Sequence, residues 1–234
     1  MNDNNYTAIN AMVDIIASPG KALDNIKGHT SWLWYPLLTT IILSGVAFAY
    51  YYNWVDMDWL VDERIRALGD DAPPEAADNM RAMASPGLNI GITVVAIVVM
   101  TMLIYAIQAA YLHLANKVAT EADITYGQWY SFSAWTAFVS VFGAIAMLVM
   151  IFTNGNNQLS EQDLNPLSFN SLFIHADAGD PWASWGSSIS VLNLWMLALM
   201  SIGFARWTGS SMVKSTIIAV LPWALIFGIW AAMI

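Results

Sequence analysis

Five long stretches nearly free of charge constrain this chain more than any other feature: Trp32–Trp54, Leu88–Leu114, Tyr130–Phe152, Trp185–Phe204 and Met212–Ile234. Each approaches or exceeds the ~20 residues that a helix needs to cross a hydrocarbon core of ~30 Å. Without water in that core, backbone amides must bond within their own segment, which makes helices the form such runs take. The chain is therefore read as an all-α polytopic membrane protein, a bundle of five transmembrane helices. Composition agrees, since only 11% of its 234 residues are charged, against about 25% in soluble domains.

The ends of the runs carry interfacial signals. Trp32, Trp34 and Tyr35 open the first, and Tyr50, Tyr51, Tyr52 and Trp54 close it. Asp56 marks the exit, because a carboxylate at the centre of a span costs roughly 3 kcal/mol. Ser85-Pro86 suits a helix start ahead of the second run. At ~1.5 Å per residue that run would be ~40 Å long, so it tilts or projects. Trp129 precedes the third run and Asn154-Gly155 stops it; Arg206 and Trp207 close the fourth, and Lys214 stands at the start of the fifth. Thr208-Gly209-Ser210-Ser211 is short enough to force an antiparallel hairpin.

Little remains outside the runs. Residues 1–31 form a cytoplasmic or interfacial segment, and residues 32–234 the five-span domain. In the first, Ile9, Met12, Val13 and Ile16 follow helical spacing until Ser18-Pro19-Gly20 breaks it, the pattern of a short interfacial helix. With few Lys, its attraction to anionic lipid should be weak. Asp3, Asp14 and Asp24 interrupt these residues, so no signal-peptide pattern appears and the first run reads as an uncleaved anchor. Residues 55–87 form an acidic connector broken at Pro73-Pro74, in which Leu60, Val61, Ile65 and Leu68 suggest a short one-sided helix. Residues 153–184 form a long loop without Lys or Arg.

Basic residues near the runs set orientation. With the N-terminus inside, Lys21, Lys27, Lys117, Arg206 and Lys214 are cytoplasmic, and Arg64, Arg66 and Arg81 are outside. The excess favours a cytoplasmic N-terminus and an external C-terminus.

Several chemistries are disfavoured. The absence of Cys removes disulfides and thiolate ligands, and a net charge of −9 argues against nucleic acid. His29, His113 and His175 form no HExxH pair, no Gly-x-Ser-x-Gly elbow occurs, and the oxygens of Asn154, Asn156, Glu161 and Asp163 lack calcium-loop spacing. No enzymatic activity and no cofactor are expected. No run carries Asp, Glu, Lys or Arg near its middle, where ion-coupled pumps and proton relays usually need one.

Polar groups inside the runs are the candidates for function. Thr101, Tyr105, Gln108 and Leu112 follow a 4-3-4 spacing, with Tyr111 and His113 close to that stripe. Ser133, Thr136, Ser140 and Gly143 share a face, and Asn193 stands close to Trp195 near the middle of the fourth run. The candidate intramembrane polar site is Tyr105, Gln108, Tyr111, Ser133, Ser140, Asn193 and Trp195. The competing reading is structural: an interhelical hydrogen bond for Gln108, close helix packing for the Ser133 face, helix pairing for Asn193 and a snorkelling ring for His113.

The segments Ser18-Pro19-Gly20-Lys21-Ala22-Leu23-Asp24-Asn25-Ile26, Trp32 with Pro36, and Tyr126-Gly127-Gln128-Trp129-Tyr130-Ser131-Phe132-Ser133-Ala134-Trp135-Thr136 form a recognisable layout. Leu192-Asn193-Leu194-Trp195, Ile202-Gly203-Phe204, Thr208-Gly209-Ser210-Ser211 and Lys214 continue it. Over residues 15–234 the chain resembles the Yip (Ypt-interacting protein) family, particularly its bacterial branch. The resemblance implies five spans, a cytoplasmic N-terminus, a bacterial inner-membrane location and no enzymatic activity. Eukaryotic members associate with Rab-type GTPases in vesicle traffic, a role that should not transfer here, and their Asp-Leu-Tyr-Gly-Pro signature is absent. Val139 lies near a position where bacterial relatives often carry Pro, and Asn193 where they often carry an acid. The expected role is a non-enzymatic scaffold or adaptor organising membrane components, with lipids, other membrane proteins or a second copy as partners. The alternative is a small-solute or ion transporter or channel subunit with Tyr105, Gln108 and Asn193 along its path. Polar stripes spent in helix packing would favour the first, and stripes facing a common water-filled cavity the second.

Five spans put the termini on opposite sides. Reporters active only outside the cytoplasm are expected to work when fused after Ile234 and to fail before Trp32; activity at both ends would refute the odd number of spans.

Overall fold

The computed structural model describes residues 6–69, 73–177 and 179–234; Asp3 lies outside them. Eleven α-helices are present among the described residues. In chain order they are α1 (Ala8–Ala17), α2 (Pro19–Ile26), α3 (Trp34–Trp54), α4 (Met57–Ala67), α5 (Pro74–Ala82), α6 (Pro86–Ala119), α7 (Tyr126–Ala137), α8 (Val141–Thr153), α9 (Pro181–Ser187), α10 (Val191–Thr208) and α11 (Met212–Met233). Five helical segments are long and apolar enough to cross a membrane: Thr30–Trp54, Pro86–Ala119, Tyr126–Thr153, Val191–Thr208 and Met212–Met233. The protein is a polytopic all-α membrane protein.

Local chemistry fixes the boundaries. Thr7 caps α1 reciprocally with Asn10, and Pro19 ends it by steering Ser18 out of the helical region. Asp56, expected at the exit of the first span, caps α4 by accepting from the amides of Asp58 and Trp59 at 3.1 Å. Thr125 and Gln128 form the capping box of α7. Gly209, with φ of +71°, supplies the left-handed residue that turns α10 into α11.

The structure corrects three sequence boundaries. The second span is longer than Leu88–Leu114: α6 has 34 residues, or ~51 Å, so it extends beyond a ~30 Å core. The third is interrupted by a 3₁₀ turn at Phe138–Ser140, which winds more tightly than an α-helix and shifts the faces that follow it. The fourth begins at Val191, not Trp185, and Trp185 belongs to the separate helix α9. The cause is a backbone detour at residues 189–191. Phe169 N–H donates to the Ile189 carbonyl at 2.8 Å, and Val191 N–H to the Leu167 carbonyl at 3.0 Å. Ser190 Oγ donates to that same carbonyl at 2.9 Å.

The chain divides into two compact units. The first comprises Met1–Ile41, Met100–Ser140 and Asn193–Ile229, and the second Ile42–Val99, Val141–Leu192 and Trp230–Ile234. The second unit has an apolar core that includes Tyr51, Tyr52, Leu60, Met147, Ile151, Leu159 and Leu164. A polar knot sits on it. The Arg64 guanidinium grips both carboxylate oxygens of Glu161, at 2.7 and 3.1 Å, and donates to Asn89 Oδ1 at 3.1 Å. Tyr52 Oη donates to Glu161 at 2.7 Å, and Tyr51 Oη to the Leu159 carbonyl at 2.7 Å. The acidic loop 153–184 is thereby pinned to α3, α4 and α6. Of its oxygens, Glu161 is committed to Arg64 and Tyr52, and Asp163 accepts from Ser160 Oγ at 2.7 Å.

Arg64→Met keeps the length of the side chain but removes this fork. We expect a loss of about 1 kcal/mol, because the pair is partly solvated, and faster proteolysis within 153–169. Thermal unfolding and limited digestion measure both, and an unchanged cleavage rate would remove the knot from the list of what holds the loop.

Candidate functional site

All seven sequence candidates fall in the first unit, but they do not form one site. Tyr105 is buried, and its ring lies 6.4 Å from that of Tyr130. Gln108 is half-buried and donates from Nε2 to the Met200 sulfur at 3.4 Å. Ser133 Oγ donates to the Trp129 carbonyl at 3.0 Å, inside its own helix; Thr136 does the same to Phe132. Ser133 and Thr136 are buried, whereas Ser140, in the 3₁₀ turn, is exposed, so the expected small-residue face is broken there. Asn193 and Trp195 are half-buried and partnered. With α10 starting at Val191, Asn193 is near the end of its span and not at the middle. His113 stands edge-on to Tyr126, with ring centroids 6.5 Å apart.

Tyr111 has the most specific role. Pro222 lies inside α11 and has no N–H, so the carbonyl four residues earlier, on Ile218, lacks its helical donor. Tyr111 Oη on α6 donates to that carbonyl at 2.7 Å. A phenol thus replaces the missing amide and fixes α6 to α11. Tyr126 Oη on α7 likewise donates to the Ala106 carbonyl of α6, at 3.2 Å.

A denser constellation gathers the ends of α2, α7 and α10. Trp207 Nε1 donates to the Leu23 carbonyl at 2.8 Å. Lys27 Nζ donates to the Trp207 carbonyl at 2.8 Å, placing a cation on the C-terminal carbonyls of α10. Gln128 Nε2 then donates to the Lys27 carbonyl at 3.1 Å. Arg206 makes a bidentate pair with Asp24, through Nε to Oδ1 at 2.8 Å and Nη2 to Oδ2. Gly20 leaves room for that guanidinium, since a Cβ there would meet Arg206 Nη1 at 3.0 Å. Beneath this layer Trp129 packs with Phe132, Phe204 and Trp207 at centroid distances of 5.3, 5.3 and 5.5 Å. Gly203 admits Phe132, whose ring a Cβ would meet at 2.3 Å. Nearby, Lys214 Nζ donates to the Ala119 carbonyl at the end of α6.

This clasp was not among the sequence candidates. Asp24, Gln128 and Gly203 lie in the segments that carry the family resemblance, whereas Lys27, Arg206 and Trp207 fall just outside them. No local signal assigns any of them a role, because Arg206 and Asp24 are 182 positions apart. What the arrangement does chemically is hold: donors meet helix-end carbonyls and opposite charges pair. Among the described residues no cluster of three or more His, Asp or Glu could hold a metal ion.

Five apolar spans and an N-terminal helix pair clasped to the end of the fourth define an integral membrane protein whose polar groups are largely engaged in joining its own elements. A family model for the Yip1 domain matches residues 13–233, and the chain belongs to that family, which has no known enzymatic activity. Searches of curated proteins and of solved structures gave no match.

Tyr111→Phe leaves the Ile218 carbonyl without a donor and should cost about 1 kcal/mol. Pro222→Ala restores an amide to the helix, so in that background Tyr111→Phe should cost much less. A double-mutant cycle on thermal stability in detergent reads the coupling, and additive effects would separate Tyr111 from the proline.

Proposed function

We propose that the protein is a non-enzymatic scaffold or adaptor that organises other membrane components. In this reading it resides in a bacterial inner membrane with its N-terminus cytoplasmic and its C-terminus outside. Residues 1–31 form a cytoplasmic and interfacial segment docked on a five-span domain of residues 32–234. Its partners are lipids and other membrane proteins or a second copy.

One observation carries this reading: several polar groups of the spans are spent on protein, while the Thr40 and Ser131 hydroxyls and the Trp129 and Trp135 indole N–H groups are buried without a hydrogen bond. Tyr111 serves the Ile218 carbonyl, Gln108 meets Met200, and Ser133, Thr136 and Ser201 return to carbonyls of their own helices. A solute path through Tyr105, Gln108 and Asn193 needs such groups turned toward water, and Asn193 near a helix end is poorly placed to line one at mid-membrane. No Asp, Glu, Lys or Arg stands mid-span to couple a gradient.

Gln108→Leu separates the two readings. In a scaffold the amide contributes only a weak bond to a thioether, so the change should cost about 1 kcal/mol or less and leave crosslinked partners intact. In a transporter it should abolish a solute flux while stability persists. Uptake into proteoliposomes that is present in the wild type and lost in Gln108→Leu would overturn the scaffold reading.

A further inference from the structure

Helix α1 has more apolar surface than the protein covers. Ala8, Ala11 and Ile15 are buried, and the helix packs on α2. Ile9, Val13 and Ile16 follow one another at intervals of four and three residues, so they align on a neighbouring face, and they are 66%, 60% and 36% exposed.

We propose that this Ile9–Val13–Ile16 stripe is a membrane foot, inserted among the acyl chains of the leaflet where the first span begins and held there by apolar contact instead of charge. Position supports it first. The Tyr6 ring lies 6.3 Å from that of Trp32, on which His29 is stacked at 4.0 Å. Trp32 adjoins Trp34 and Tyr35, exposed aromatics at the start of α3, where a span meets the headgroups. Helix α1 is thus tethered at the depth of the bilayer surface. Continuity supports it next, because α1 follows directly on Tyr6, whose ring meets Trp32 at the start of a span that also exposes apolar Leu38.

Charge decides the kind of attachment. Asp14, the one charged residue of α1, accepts from Lys21 Nζ at 2.9 Å and from Tyr6 Oη at 3.0 Å. The Lys21 hydrogen bond holds the Asp14 carboxyl below the ordinary carboxylate value, against the opposing effect of burial, so Asp14 stays ionised at neutral pH. Lys27, Arg206 and Lys214 are committed to carbonyls or to Asp24. Asp14 and Asp24 neutralise Lys21 and Arg206, two of the five basic residues counted as cytoplasmic, and α1 itself carries no Lys or Arg, which leaves no positive charge on the helix to attract anionic headgroups. Insertion by such a helix depends on apolar area and not on lipid charge.

The chain has no Cys, so one introduced thiol is labelled uniquely. Full-length Val13→Cys carrying an environment-sensitive fluorophore is reconstituted in phosphatidylcholine vesicles. Ser18→Cys serves as reference, at an exposed position that makes no side-chain capping bond. The Val13 label should emit to the blue of the reference and resist aqueous iodide. It should also lose most of its fluorescence to lipids bearing a nitroxide on the acyl chain, equally with or without phosphatidylglycerol and at low or high salt. Ile9→Cys repeats the measurement one turn away, so that a defect from one label does not decide the result. Iodide quenching equal to that of the reference overturns the proposal. So does shielding without nitroxide quenching, which would mean a protein partner, or shielding that requires anionic lipid.

Discussion

Within hydrocarbon a backbone carbonyl without a donor is unfavourable, since no water is present to replace the lost bond. Pro222 creates that situation in the middle of α11. The Tyr111 hydroxyl resolves it at 2.7 Å, and in doing so dictates which side of α6 faces α11. Much of the polar inventory of the first unit follows the same rule. Tyr126 reaches a carbonyl of α6, and Ser133, Thr136 and Ser201 fold back onto carbonyls one turn earlier. These polar side chains are explained by backbone accounting before any ligand is invoked, whereas the buried Thr40 and Ser131 hydroxyls are not.

The rule relaxes at the ends of the spans, where water returns and charge becomes affordable. There the first unit concentrates its clasp. Lys27 and Lys214 each cover carbonyls at the C-terminal end of a helix, α10 and α6 respectively. Such a cation meets both the unpaired acceptors and the negative end of the helix dipole. Arg206 and Trp207 then reach across to α2. The small residues are as necessary as the charged ones, because Gly20 and Gly203 are where a guanidinium and an aromatic ring come closest to backbone. The basic residues from which an orientation is argued thus do local structural work, and a substitution chosen to test topology would disturb packing as well.

The five spans were legible because apolar runs and aromatic ends are local signals, and so were the helix end before Asp56 and the helical spacing of Ile9, Met12, Val13 and Ile16. The start of α10 was not. Trp185 to Leu192 carries no charge and reads as part of the span only if Gly186-Ser187-Ser188 and Ser190 are passed over; the pairing with residues 167–169 that diverts the backbone there is not visible locally. That misreading put Asn193 at mid-membrane. The 3₁₀ turn at Phe138–Ser140 was invisible for a related reason: nothing in Phe-Val-Ser breaks a helix, yet it turns Ser140 away from the face of Ser133 and Thr136. The proline in α11 announces that residue 218 needs a donor, but its sequence does not say that Tyr111, 107 positions away, supplies it. Membership of the Yip family was legible from the segments that carry the resemblance and their order, while the role of α2, α7 and α10 emerged only when they were seen together.

A chain that spends its intramembrane polarity on itself keeps its exposed surface for others. The exposed faces of α6 and α11 are apolar, with Val95, Ile107, Ile217 and Ile226 each more than half exposed, a surface suited to lipid. Against such a surface, selectivity for a protein partner cannot come from hydrophobicity, since acyl chains compete equally well; it must come from shape or from the polar ends of the spans. The two polar assemblies described here, Arg64 with Glu161 and Arg206 with Asp24, are both partly solvated and both hold their own elements together. A partner that engaged either one would have to compete with an existing intramolecular bond. Recognition there would loosen a clasp as it formed, which couples binding at a span end to the hold on α2 or on the acidic loop.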